Sequence, residues 1–542
     1  MRYSRLFADP LMAGLWLGCC AGLVCAASGA SAQAPRATAA SFDVEAYDVD
    51  GAKLLKQVDV ETAVYPFLGP GRTREDIDHA REALEKAYRD RGYQSVVVEL
   101  PPQSVSDNIV RLHVIEAPIG RLRVTGSRYY SPEVILHQAS AFKEGEVPNI
   151  NEAQRQLTAI NSLPDRRVTP LLRAGEAPGT VDVDLKVSDS LPLHASVELN
   201  NDHNADTKPL RLLSTVHYDN LWQLGHSVSF TYAVAPQDRN NSEIYSGSYV
   251  APLWGTPWSL MVFGYDSNSN VAALGGTTVL GKGYDIGVRG ILKLPPLGDF
   301  YDSLTLGADY KDNAQKLNES TGGCIATKPA PQRCPTVQYT PVSLVYNLQR
   351  EGPKFSTKVS VSLTASVRGV ASNTATFESS RFDATPAFVH LNLDVTQTET
   401  LWRGFETSQH LAGQLSDQPL VPNEQFAAGG LTSVRGYLQS EAVGDDGFSG
   451  NLELRTPSLA PGLGGFVDDM RLYAFSDGGV LSVRDHLPDQ AAFFSLASVG
   501  FGLRLQLFKY IKSDVLGALP LISGTTTHRD RPQVTFSLKS DF

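Results

Sequence analysis

The sequence predicts an all-β transmembrane barrel of about 16 antiparallel strands, preceded by two small α+β modules. Three observations predict it. From Leu191 onward apolar and polar residues alternate, as Leu193, Ala195, Val197 and Leu199 do with His194, Ser196, Glu198 and Asn200. Ahead of Leu191, strand periodicity gives way to helix periodicity and returns, twice over. The alternation finally runs through Val534, Phe536, Leu538 and Ser540 to an aromatic at Phe542. One face of such strands would meet lipid and the other a polar lumen. At about 22 residues per strand and connection, residues 189–542 accommodate about 16 strands.

Composition narrows the class further. A chain of 542 residues exceeds one ordinary globular core. Charged residues make up 19% and the net charge is −11, so nothing favours nucleic acid as a partner. Mean hydropathy is −0.16, and no run of about 20 apolar residues follows the N-terminus, which excludes a helical membrane protein. A barrel is compatible with both, because its strands alternate.

Residues 1–32 have the form of a secretory signal peptide, with Arg2 and Arg5, an apolar Leu11–Ala27, and Ala30-Ser31-Ala32 before the cut. Residues 33–40 are a short linker. Cys19, Cys20 and Cys25 fall within the removed segment. Cys324 and Cys334 remain, in a polar, Pro-rich stretch with no His, Asp or Glu between Gly322 and Val337. An exported protein with two nearby cysteines forms a loop disulfide most simply, rather than a metal site.

Residues 41–117 make the first module. Phe42 and Val44 begin a strand, and Thr73 with Asp76 resembles a capping box. That box opens a helix with Ile77, Ala80, Leu84 and Ala87 on one face, stopping near Gly92. Strands are expected at Tyr93–Leu100 and Asn108–Ile115. Residues 118–188 repeat the pattern. Leu122 and Val124 mark a strand, Ala153, Leu157 and Ile160 a helical stripe, and Val168–Leu172 and Val181–Val187 two more strands.

Within the barrel region one cation and one carboxylate stand out. Arg435, in Ser433-Val434-Arg435-Gly436-Tyr437, lies in a glycine-rich stretch without alternation. Asp477, in Phe475-Ser476-Asp477-Gly478-Gly479, interrupts an apolar strand run from Leu472 to Val480. The chain contains two further Val-Arg-Gly triplets, 288–290 and 367–369, but both sit in period-two strands with the arginine opposite the apolar face. Only Arg435 lies outside alternation and precedes an aromatic. Read locally, it could be a solvated loop arginine and Asp477 a turn aspartate. No P-loop, GxSxG elbow or HExxH occurs, and the 11 histidines show no ligand spacing. No enzymatic site, cofactor or metal is therefore expected.

These segments also carry a family resemblance. Gly92-Tyr93, Leu100-Pro101-Pro102-Gln103 and Val114-Ile115-Glu116 resemble the first polypeptide-transport-associated (POTRA) domain of a two-partner secretion transporter. Asn161-Ser162-Leu163-Pro164 and Gly175-Glu176-Ala177-Pro178-Gly179-Thr180 resemble the second. Val434-Arg435-Gly436-Tyr437 resembles the family's loop tip, and Phe475, Asp477 and Gly479 its strand motif. The resemblance, to the hemolysin secretion/activation family, covers about residues 41–542.

It implies that the loop folds into the lumen, where Arg435 meets Asp477. It also implies that paired POTRA modules in the periplasm bind a large unfolded exoprotein, hemolysin- or adhesin-like, by strand addition to an exposed sheet edge. The barrel, embedded in outer-membrane lipid, would conduct this passenger outward without ATP. Phe542 resembles the assembly signal of outer-membrane barrels, which implies the barrel assembly machinery as a partner during biogenesis. Only residues 33–40 separate the cut from the first module, so no plug helix is expected. An outer-membrane protein insertase shares both motifs but has a longer string of modules. A passive porin or receptor should lack modules and motif pair alike, and an exported β-rich enzyme lacks a site.

Overall fold

The computed structural model describes residues 41–542 except 104–107, 206, 270, 275–276, 281, 315–335, 367–368 and 489. The expected signal peptide and linker, Cys324 and Cys334, and Val367-Arg368 all lie outside the described residues. Two compact units result, one of residues up to 90 with 96–116, the other of 91–95 with 117–542. No described helix is long and apolar enough to cross a membrane.

In the first unit a three-stranded sheet sets Ile109–Glu116 between Ala46–Asp50, parallel, and Val96–Glu99, antiparallel. The helix Arg74–Asp90 covers it through Ile77, Ala80, Leu84 and Tyr88, all buried. Thr73 and Asp76 cap that helix reciprocally. The Thr73 N–H donates to Asp76 Oδ2 at 2.8 Å and the Asp76 N–H to Thr73 Oγ1 at 3.3 Å. Strand Val96–Glu99 begins later than Tyr93, because Gly92 turns the chain at a φ of 95°. A helix at Gln57–Val64 was not legible in the sequence. Its buried stripe is only Val60 and Val64, while Val58 is exposed, so no amphipathic period builds up over eight residues.

The second module repeats this order. Val181–Asp189 is central, parallel to Ile119–Thr125 and antiparallel to Arg166–Ala174. Val183, Leu185 and Val187 point into a core with Ile135, Ala153 and Ile160. On the other face Asp182 and Asp184 pair with Arg121 and Arg123 across the parallel ladder. Its extra helix, Pro132–Gln138, follows Ser131 at the cap position and buries only Ile135, too short for periodicity to reveal.

The remainder closes into a 16-strand antiparallel barrel, starting at Leu193–Asn200 and ending at Gln533–Asp541. The eighth strand is interrupted at Thr340, where Pro341 has no N–H to offer the ladder. Closure runs from Ser537 opposite Asn200 to Asp541 opposite Ser196, and the Phe542 and Ala195 backbones bond reciprocally beyond it. A hydrophobic belt that includes Phe230, Leu260, Ile286, Leu306, Leu393, Leu452 and Phe501 is exposed outward. At the end with short turns, Trp222, Trp254, Trp402, Phe466, Phe508 and Tyr510 form an aromatic rim. The opposite end carries the long connections, one of them folded as a hairpin of Val271–Leu274 with Thr277–Leu280.

Hydrogen bonds from the Thr73 N–H and hydroxyl hold the Asp76 carboxyl below the ordinary aspartate range. Its stabilisation is complete above the unfolded-state pKa, about 3.9, and is lost as pH falls through the lower folded value. Hydrogen exchange of the intact protein should therefore accelerate in residues 74–78 for Thr73→Ala at neutral pH. The expected cost is about 1 kcal/mol, and exchange elsewhere in the module should change little.

Candidate functional site: a segment pinned inside the barrel

Between strands Glu406–Ser416 and Asp446–Arg455 the chain does not stay outside. Residues 417–445 turn inward, form a small hairpin of Phe426–Ala428 with Ala442–Gly444, and bury Leu420, Val421, Val434, Arg435, Tyr437, Glu441 and Asp445. Most of this segment is glycine-rich or polar, so no alternation commits it to the wall.

The tip meets strand Val467–Ser482, whose lumen face reads Tyr473, Phe475, Asp477, Gly479 and Leu481. Arg435 donates from Nε to Asp477 Oδ2 at 2.7 Å and from Nη2 to Oδ1 at 2.8 Å; its backbone N–H adds a third bond at 3.0 Å. This is a bidentate fork on one carboxylate. The guanidinium lies 3.7 Å from the Phe475 ring centroid, a cation–π seat. Side-chain exposure is 7% for Arg435 and 0% for Asp477, so neither charge has water as an alternative partner.

The other motif residues make room for this contact. Gly479 lets the tip approach the wall, since a Cβ there would stand 3.2 Å from Val434 Cγ2. Gly436 has a φ of 91°, and a Cβ on it would meet Ala518 Cβ at 2.8 Å. The Tyr437 hydroxyl donates to the Ile522 carbonyl at 2.7 Å and accepts the Ala497 N–H at 3.1 Å. Phe542 sits elsewhere, exposed on the outside at the closing seam.

Sequence reasoning missed several partners. Glu453 Oε2 accepts from Arg435 Nη1 at 2.5 Å, and Oε1 from Arg455 and Arg504. Arg504 continues to Asp514, which also takes the Tyr473 hydroxyl at 2.6 Å. Glu453 and Arg504 lie on lumen parity between leucines, a signal every lumen residue shares. Their pairing required the register.

Three further carboxyls hold the segment. Glu424 accepts from Lys311 (2.7 Å), Tyr339 (2.6 Å) and His390 (3.1 Å). Glu441 receives the N–H groups of Thr526 and Thr527 in the connection 521–532. Asp445, fully buried, accepts from the Leu420 and Arg484 N–H groups at 2.8 Å each and from Arg381 at 3.5 Å. Together they hold an otherwise irregular segment in one place inside a pore.

Comparison with known proteins agrees with this architecture. Residues 42–117 match the POTRA domain, ShlB-type, and residues 335–505 match the haemolysin secretion/activation protein ShlB/FhaC/HecB. Over these two stretches the chain is similar to two-partner secretion transporters. Among curated relatives of this family, the heme/hemopexin transporter protein HuxB of Haemophilus influenzae is 20% identical over 394 residues, 70% of this chain. That match spans 66% of the relative's length, just under two thirds. The outer membrane transporter CdiB of Dickeya dadantii is 24% identical over 185 residues, 33% of this chain and 32% of that one.

Among solved structures, CdiB from Escherichia coli aligns over 96% of this chain and 93% of its own, with a TM-score of 0.66 at 19% identity. BamA from Haemophilus ducreyi lacking POTRA domains 1–3 aligns over 93% and 100%, with a TM-score of 0.55 at 14% identity. Both establish the fold. The barrel belongs to the outer membrane, with its POTRA region in the periplasm.

A side chain at position 436 should expel the tip without opening the wall. Gly436→Val should leave the barrel folded, judged by its heat-dependent mobility on gels, while residues 417–445 become cleavable by added protease. A variant as protected as the parent would mean that the tip tolerates the clash.

Proposed function

We propose that this transporter binds an unfolded exoprotein with its two modules and conducts it through the barrel to the cell surface. The observation that carries this reading is the enclosed clamp of Arg435 on Asp477, in a barrel joined to two strand–helix–strand modules. A passive pore has no need of a buried loop held by four charged anchors. The names of HuxB and CdiB as transporters point the same way.

Open sheet edges suit the capture step. Strand Arg166–Ala174 pairs on one side only and exposes Leu171 and Leu172. An extended passenger could add there as a further strand. Outward movement then draws on passenger folding outside, since the site holds no nucleotide-binding element. The belt of outward apolar residues faces lipid, and Phe542 at the seam suits recognition by the barrel assembly machinery. Cys324 and Cys334 would staple the long connection between strands Phe300–Ala314 and Pro341–Gly352.

Deleting residues 41–117 should leave a heat-modifiable barrel in the membrane while passenger export stops. Normal export by that deletion would sink the docking role.

The clamp has its own test. Removing one partner of a buried pair costs about 3–5 kcal/mol because the other charge is stranded. Arg435→Ala strands Asp477 with only a backbone N–H, whereas Asp477→Ala leaves Arg435 its bond to Glu453; the arginine variant should be the worse. Arg435→Lys should restore little, because a lysine cannot reproduce the fork. In the double variant, secretion per assembled barrel should fall little below the arginine single variant. Strictly additive losses would show that the two residues act separately.

A further inference from the structure

Where the second module meets the barrel mouth, two histidines and two aspartates converge. His194 on the first barrel strand lies directly opposite His217 on the second, strand Arg211–Leu221, and their rings stack at 4.7 Å. Asp219, two residues on, shares the lumen face, with Oδ2 3.3 Å from His217 Nε2 and 4.0 Å from His194 Nε2. Ligand atoms of the three side chains lie within 4.8 Å of one another, and no other such group of three occurs among the described residues.

Further contacts fit metal chemistry better than a plain ion pair. Ser227 Oγ donates to Asp219 Oδ1 at 2.7 Å, which leaves Oδ2 turned to the imidazoles. Asp165 of the second module, itself buried, accepts from Ser190 and lies 2.7 Å from His194 Nε2. It meets the same ring nitrogen that faces Asp219 at 4.0 Å, so it stands on the metal side of His194 as a further oxygen ligand. Nearby, the buried Tyr130 hydroxyl has no hydrogen-bond partner in the structure. Two stacked imidazoles that both ionised would repel, whereas one cation shared between them draws them together.

We propose that His194, His217 and Asp219 bind a divalent transition metal of the zinc class, with Asp165 beside His194 Nε2 as a further oxygen ligand. Bonds of about 2.0–2.2 Å place tetrahedral ligand atoms roughly 3.4 Å apart, so only small side-chain rotations are needed. Two imidazoles and one carboxylate favour zinc, cobalt or copper over magnesium, which takes oxygen ligands. The cluster opens to the aqueous mouth, where His194 and His217 are 33% and 39% exposed, so periplasmic ions can enter. Through Asp165 the ion would brace the second module against the first two barrel strands.

Chelator-stripped full-length protein in detergent micelles would be titrated with zinc chloride by calorimetry, alone and with excess magnesium chloride. The wild type should bind one more saturable zinc equivalent than His217→Ala, with magnesium failing to compete. Cobalt(II) should give visible absorption bands that vanish in His217→Ala and in Asp219→Asn. Asp165→Asn, which removes one anionic oxygen from the metal side, should keep the three-residue site but weaken zinc binding. Each variant is first shown to be folded by heat-modifiability, and His217→Gln replaces any that is not. No saturable zinc binding by the wild type, or equal stoichiometry in the folded ligand variants, would overturn the proposal.

Discussion

At membrane depth a backbone N–H or C=O has no water to bond, so each strand of this wall needs a neighbour on both sides. The ladder between Leu193–Asn200 and Gln533–Asp541 supplies the last of those neighbours, and the Ala195–Phe542 backbone pair extends it. Closure creates a lumen sealed from lipid. Only inside such a lumen can irregular backbone such as residues 417–445 exist at this depth, because barrel residues rather than lipid satisfy its polar groups.

Once enclosed, the segment is governed by the energetics of charge in a confined space. Arg435 has two carboxylates, Glu453 three guanidiniums, and Asp445 four donors, so each buried charge is met more than once. Such redundancy fixes the position of a glycine-rich stretch that has little intrinsic preference of its own. It also makes the segment a discrete structural element, able to release only by breaking several charge-assisted bonds together.

The junction of second module and barrel follows a related logic at the water-filled mouth. Gln223 and Asn220 reach the Tyr129 carbonyl, and Asp165 reaches His194, so turn and strand residues of the barrel hold the module by polar contacts. Polar contacts near water are exchangeable, because solvent offers each group a replacement partner.

The sequence by itself determined which residues face which way. Alternation in Leu193–Asn200 or Phe493–Leu507 assigns lipid and lumen sides, and the glycines around Arg435 mark a segment that belongs to neither. The capping pair Thr73 and Asp76 located a helix start because its signal is local. Short helices such as Gln57–Val64 stayed hidden, since two buried valines carry no period.

Tertiary structure decided the rest, because a pairing register couples residues far apart in the chain and alternation constrains only parity. That register set Asn451 opposite Asp477 and so brought Glu453 within reach of Arg435. It also placed His194 beside His217, turning histidines that show no ligand spacing along the chain into neighbours across a ladder.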